Sequence, residues 1–308
     1  MRKPGHSLVY PGNQERRRTV QDYEDSRLKI EEGVKDLRVP KPGIYKTSDL
    51  AVTYAQGTVP IRVYQPSPSP DLPVVYHVHG GAWVGGSIDT HDNVCRSVSN
   101  LVPCVVVSVE YRRPPEYKFP IAVDDCYAVL KWLLQNHSQV ICDIRQLALM
   151  GDSAGGNLVA ALCARLRDEG LGDTVSIQVL VNPALDLRRD SKTYQTYKKY
   201  VDWYLTDSES ESKLVYASPL AASGFQGLPK AFVVTCENDE LGTEGEEYCR
   251  LLRRDGVDAS LYELKGMGHL GVFWAAAHPQ VDEAGVQIGE ELRRSFSQSQ
   301  QGKIRAQN

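Results

Sequence analysis

Several things are scarce in this 308-residue chain, and each scarcity excludes something. No apolar run approaches the roughly 20 residues that a membrane-spanning helix needs, so no span is expected. Charge of one sign is not in excess: the formal net charge is −4 and the pI about 6.0, which gives no electrostatic reason to bind nucleic acid. Cys-x-x-Cys pairs are missing, so a structural zinc site has no ligands in view. The seven cysteines (Cys95, Cys104, Cys126, Cys142, Cys163, Cys236, Cys249) are odd in number and scattered, several within apolar runs. They read as buried free thiols of a reducing compartment, not as a disulfide framework. Met1 to His6 opens no apolar signal core, and a cytoplasmic protein is expected. His77-x-His79 lacks a third ligand at useful spacing, so neither metal nor cofactor is called for.

What the chain does have is length for one large α/β domain and a regular alternation. Short apolar runs at Val74–Val78, Val105–Val109, Leu147–Met150, Ile177–Val181 and Phe232–Thr235 alternate with helical patterns, clearest at 121–134, 157–167 and 246–254. Strands apolar on both faces specify a mostly parallel sheet covered by helices on both sides, with ligands at the carboxyl ends of its strands. Before them, 48–64 reads as an antiparallel hairpin turning near Gln56-Gly57-Thr58. Residues 12–36, charged with spaced apolar positions, predict one or two exposed helices. The stretch 188–216 carries six aromatics in a polar setting and predicts a partly helical insertion, its rings facing either an apolar pocket or the body. A closing amphipathic helix is expected over 281–296, followed by a disordered tail at 297–308.

The chemistry concentrates around Gly151-Asp152-Ser153-Ala154-Gly155, set between an apolar run and an Ala/Leu-rich helical segment. Strand, sharp turn and helix with serine at the tip form a nucleophile elbow, and glycines flank the serine because a Cβ there would collide with the turn. A serine hydroxyl needs a base, and the base an acid; in chain order these follow as Ser, Asp or Glu, His. Only His269 and His278 lie after Ser153, and His269 in the loop Gly266-Met267-Gly268-His269 is the candidate base. Asp239, Glu237 and Glu240 all follow the run Phe232–Thr235, and strand-end position alone does not rank them. His79-Gly80-Gly81 follows the first apolar run as an oxyanion loop, with Gly80, Gly81 and Ala154 as candidate N–H donors.

With these motifs in place, the stretch from about Val74 to Phe273 resembles the hormone-sensitive-lipase-like branch of α/β-hydrolase esterases, which includes arylacetamide deacetylases and plant carboxylesterases. Besides His79-Gly80-Gly81 and Gly151–Asn157, Glu110–Asp125 resembles the family's YRLAPE-x-x-FPAA-x-DD segment. The resemblance implies the α/β-hydrolase fold and the triad Ser153, Asp239 and His269. It also implies a helical cap built from an N-terminal segment (1–40) and an insertion (about 188–216) on a hydrolase domain spanning 41–296. Trp83, Tyr194, Tyr197 and Trp203 are the expected pocket residues. The chain departs from the family pattern at Ala82, Arg113-Pro114, Asn182-Pro183, Gly242-Thr243 and after His269, which touches the pocket more than the triad.

The implied activity is a serine carboxylesterase acting on small, fairly apolar esters through an acyl-enzyme. The alternatives are triad-dependent acyl transfer, elimination or cyclisation on a specialised metabolite, and a non-catalytic small-ligand receptor of the same fold. The expected partner is a small-molecule ester, with a homodimer as the alternative to a monomer and no nucleic acid.

Overall fold

The structure, a computed structural model, describes residues 13–36, 41–269 and 279–306. Helix α1 (Asn13–Asp36) comes first, followed by the hairpin β1 (Lys46–Tyr54) and β2 (Gly57–Gln65), then β3 (Val74–Val78), α2 (Asp92–Leu101) and β4 (Val105–Val109). Next are α3 (Ile121–Asn136), β5 (Leu147–Asp152), α4 (Ala154–Asp168), β6 (Ile177–Val181) and α5 (Lys192–Tyr204). The chain closes with β7 (Ala231–Cys236), α6 (Gly242–Arg254), β8 (Ala259–Leu264) and α7 (Pro279–Ala306).

Eight strands form one sheet in the order β1-β2-β4-β3-β5-β6-β7-β8. The six strands β3 to β8 run parallel, and β1 and β2 join antiparallel at one edge. Strands β3 to β7 are buried at every residue, which explains their largely apolar composition: alternate side chains feed two different cores. Val74, Tyr76, Val78, Leu147 and Leu149 face the side covered by α3, α4 and α6. Val75, Val106, Ala148, Met150 and Val179 face the side covered by α2 and α7. Because β4 and β5 flank β3 on opposite sides, the crevice at the carboxyl ends of β3 and β5 is the topological switch point where α/β sheets place ligands.

Three expectations change. The hairpin turns at Ala55-Gln56, one residue early, because Gly57 already pairs with Tyr54. Where one or two exposed helices were expected over 12–36, the described part, 13–36, is a single helix, and it is not fully exposed: Tyr23 and Ser26 are buried. The expected disordered tail instead continues α7 to Ala306, because 297–306 contains no proline and is rich in Gln, Lys and Arg, which propagate a helix once packing has started it.

Candidate active site

The elbow forms where β5 meets α4. Ser153 sits at φ 52°, ψ −119°, a left-handed conformation that costs a non-glycine residue about 1–3 kcal/mol and marks a functional constraint. Its N–H donates to the Val181 carbonyl (2.8 Å), fixing the turn to β6. The flanking glycines are required by space: a Cβ on Gly151 would lie 2.5 Å from the Gly155 carbonyl, and one on Gly155 only 2.1 Å from the Val78 carbonyl oxygen. Helix α4 therefore starts against β3, with the N–H groups of its first turn at the serine.

Strand order then brings the remaining groups together. Ser153 Oγ lies 3.0 Å from His269 Nε2, and His269 Nδ1 lies 2.8 Å from Asp239 Oδ2. Since a carboxylate only accepts, Nδ1 carries the proton and Nε2 is the acceptor for the serine hydroxyl. Asp239 is buried and well held: Oδ1 accepts from the Leu241 N–H (3.1 Å), and Oδ2 also accepts from Asn182 Nδ2 (2.5 Å). Burial pushes its carboxyl up, but the His269, Leu241 and Asn182 partners outweigh this and hold it below the usual carboxylate range. Its sequence rivals are exposed, Glu237 accepting from the Gly266 N–H and Glu240 facing Lys192. His278 lies outside the described residues.

The loop after β3 corrects one expectation. The Gly80 N–H donates to Asp152 Oδ1 (3.1 Å), so it points down beneath the elbow and not at a substrate. Gly81 and Ala82 line the cleft instead, and among the described residues their N–H groups make no hydrogen bond. Each is aimed by the carbonyl across its own rigid peptide plane. The Gly80 carbonyl accepts from His79 Nδ1 (2.9 Å), which directs the Gly81 N–H the opposite way. The Gly81 carbonyl accepts from the Val84 and Gly85 N–H groups (3.1 and 2.8 Å), which does the same for Ala82. At Ala154, the Ser153 carbonyl is held by Asn157 and Ala184. Gly81 takes φ 123°, and a Cβ on it would strike the Gly85 carbonyl oxygen at 2.3 Å.

Above the serine opens a cleft of about 210 Å³ lined by Ile30, Gly81, Ala82, Asp152, Ser153, Tyr197, Tyr200 and His269. Of the four expected pocket residues only Tyr197 belongs to it. Its ring lies 6.1 Å from the His269 ring, and it sits where α5 kinks (φ −117°, ψ 26°). Trp83 is 1 % exposed, stacked on Tyr204 at 4.9 Å, with its indole N–H on Asn157 Oδ1 (3.3 Å). Tyr194 is buried with its hydroxyl on Asp202. Trp203 stands behind Tyr200 and against Tyr23 of α1, so it props the wall without forming it. Neighbours on one amphipathic helix face different ways, and aromatic content alone does not say which faces inward.

Tyr200, one of the aromatics of the 188–216 insertion, shares the cleft with Tyr197 three residues before it, whereas Ile30, Ala82, Asn182 and Asp152 are not among the expected site residues. The others depend on contacts across the fold: Ile30 packs where a Cβ on Gly85 would lie, and Arg27 of α1 donates to the Val84 carbonyl in the oxyanion loop (3.0 Å). His77 and His79 have separate partners, Ser108 and the Gly80 carbonyl, and no metal-holding cluster of His, Cys, Asp and Glu occurs among the described residues.

A serine, histidine and carboxylate presented at the carboxyl ends of a parallel sheet, beside a loop with unpaired N–H groups, define a hydrolase of the α/β class. The chain belongs to the family of the alpha/beta hydrolase fold, whose model matches residues 75–273, and within it to the hormone-sensitive-lipase-like esterases. It is 36% identical to an arylesterase of Saccharolobus solfataricus over 263 residues, covering 82% of this chain and 85% of that protein. It is 35% identical to the carboxylesterase NlhH of Mycobacterium tuberculosis over 240 residues, covering 73% of this chain and 75% of the relative. Among solved structures, EstE1, a thermostable carboxylesterase cloned from a metagenomic library, superposes with a TM-score of 0.84 at 34% identity, covering 89% of this chain and 97% of that one. No described helix is long and apolar enough to cross a membrane.

Proposed function

We propose that this chain is a serine carboxylesterase that hydrolyses small, fairly apolar carboxylic esters through an acyl-enzyme. The observation that carries the reading is the continuous chain Ser153 Oγ, His269 Nε2, His269 Nδ1, Asp239 Oδ2 at 3.0 and 2.8 Å beneath a cleft lined by Gly81 and Ala82. Ser153 Oγ attacks the ester carbonyl as its proton passes to His269 Nε2. The carbonyl oxygen becomes an oxyanion held by the N–H groups of Gly81, Ala82 and Ala154, each such donor contributing about 3–4 kcal/mol. The tetrahedral species collapses, the C–O bond to the alcohol breaks, and His269 returns the proton to the departing alkoxide. Water then repeats the sequence on the acyl-enzyme and frees the acid. Asp239 holds the ring and stabilises its transient positive charge.

The cleft size and lining support small apolar substrates. About 210 Å³ is less than the ~300–1,000 Å³ of pockets for drug-sized ligands, and Ile30, Ala82, Tyr197 and Tyr200 offer mainly hydrocarbon and ring faces. The intact base and acid weigh against the receptor reading. Seven buried free thiols support a reducing, cytoplasmic location.

The test is hydrolysis of p-nitrophenyl esters over a series of acyl lengths, with wild type beside Ser153→Ala. Turnover is expected to be greatest on short chains and to fall about 10⁵–10⁶-fold in the variant. Equal activity in both proteins would sink the assignment. Adding an alcohol acceptor to the same assay separates hydrolysis from acyl transfer by the product formed.

A further inference from the structure

Beneath the elbow lies a buried polar group that the proton relay does not use: His77, His79, His91 and Asp152, all under 3 % exposed. Asp152 is the residue before the nucleophile, so its backbone belongs to the elbow while its side chain reaches across to the oxyanion loop. Oδ1 accepts the Gly80 N–H at 3.1 Å. His91 Nε2 stands 3.1 Å from the same oxygen. The imidazole edge thus lies within ion-pair distance of the carboxylate, and Nδ1 lies 2.9 Å from Thr90 Oγ1. Thr90 is itself tied to Ser87 in both directions, its hydroxyl accepting the Ser87 N–H (2.8 Å) and its own N–H donating to Ser87 Oγ (3.1 Å).

We infer that His91 is a positioning residue of the oxyanion hole: it holds the Asp152 carboxylate against the Gly80 N–H and so sets the Gly81 and Ala82 donors on the ester carbonyl. This rests on the esterase reading above. The peptide between His79 and Gly80 is gripped at both ends, its carbonyl by the Tyr111 hydroxyl (3.0 Å) and its N–H by Asp152. The next peptide along carries the Gly81 N–H. Asp152 therefore couples the serine and the oxyanion loop, the two parts that must meet one carbonyl carbon and its oxygen. A carboxylate this deeply buried is costly unless a positive or hydrogen-bonding partner compensates it. Burial pushes the Asp152 carboxyl up, while His91 first, then His77 and the Gly80 N–H, bring it below its ordinary range. Without His91 the carboxylate keeps one amide as partner; it then takes up a proton or turns toward water, and either change loosens Gly80.

Two substitutions separate positioning from folding. The side-chain amide of His91→Gln places an N–H at about the reach of Nε2; that of His91→Asn falls short of it. Three quantities are measured on short-chain p-nitrophenyl esters: kcat per active site counted by burst titration, KM, and inhibition by an alkyl trifluoromethyl ketone, whose hemiketal adduct with Ser153 Oγ carries the oxyanion. The Asn variant is expected to lose about 10–100-fold in kcat per site and a similar factor in ketone affinity, as displacements near 1 Å do, with KM within about threefold. The Gln variant is expected within about fivefold of wild type. Equal loss in both variants, or unchanged kcat per titrated site with fewer active sites, would overturn the inference. If neither variant folds, Thr90→Val decides: about a threefold or greater fall in kcat at constant KM is expected, and no change overturns it. A wild type that neither turns over esters nor binds the ketone overturns the esterase reading with it; an active wild type beside an unaffected Asn variant removes His91 alone.

Discussion

Asn182 stands at the carboxyl end of β6 with φ 45°, its amide donating to Asp239 Oδ2 on the oxygen that also faces His269. Its place beside Asp239, the proposed triad acid, gives a prediction with a definite sign. A carboxyl held below its usual range contributes stability above the unfolded value of about 3.9, and that contribution is lost as pH falls through the folded value. Asn182→Ala removes one of the partners that hold Asp239 down. Its acid-unfolding midpoint is expected at higher pH than the wild type's, with about 1.5–3 kcal/mol less stability at pH 7, the range for a hydrogen bond to a charged group. Circular dichroism along an acid titration, with urea melts at pH 7, checks both; coincident curves would show that the amide adds nothing. At this scale the sequence was legible where chemistry restricts the choice, as for Ser153 and His269. It was not legible where neighbouring residues differ only in direction. His79-Gly80-Gly81-Ala82 marks the loop, yet which N–H points at substrate depends on Asp152, 72 residues away. Strand-end position does not rank Asp239, Glu237 and Glu240; the family resemblance points to Asp239, and its burial and its contact with His269 agree.

Among the elements, α5 carries Tyr197 and Tyr200 over the cleft, and a single carboxylate anchors its start to the hydrolase body. Glu244 of α6 accepts from the N–H groups of Leu185 (2.8 Å), Asp186 (3.0 Å) and Thr193 (2.8 Å) and from Thr193 Oγ1 (2.7 Å). Burial pushes its carboxyl up against the pull of these donors. Glu244→Ala leaves the buried N–H groups unpaired, each costing about 1–3 kcal/mol before water or local movement compensates. A loss of about 3 kcal/mol in a denaturant melt is expected, with a raised KM because Tyr197 and Tyr200 lose their support. Wild-type stability in this variant would mean that water replaces the carboxylate. The strands were readable as short apolar runs between helical patterns, and the long helices because apolar periodicity over ten or more residues is a strong signal. Helix α2 was not: its Val94, Cys95 and Val98 are correctly spaced, but ten residues rich in Ser and Asn make a weak pattern, and packing on the sheet decides it.

For the molecule as a whole, two cores on one sheet enclose all seven cysteines as free thiols. Burial pushes Cys95 and Cys142 up to about 12 and Cys249 to about 11, so little thiolate exists at neutral pH. The native protein is expected to be inert to a thiol reagent such as DTNB at pH 8 and to release seven equivalents in denaturant. Rapid reaction of any thiol in the native state would contradict the burial. The amino-acid sequence by itself determined the parallel sheet, the order of its strands along the chain and the candidate nucleophile, because these follow from local periodicity and from a turn that admits only glycine two residues either side of the serine. Only the tertiary structure decided which residues of the loop after β3 line the cleft, which aromatics join them and what braces the elbow from below. Those are matters of direction and distance between residues far apart in the chain, set by how β3, β5, α2 and α5 meet at the switch point of the sheet.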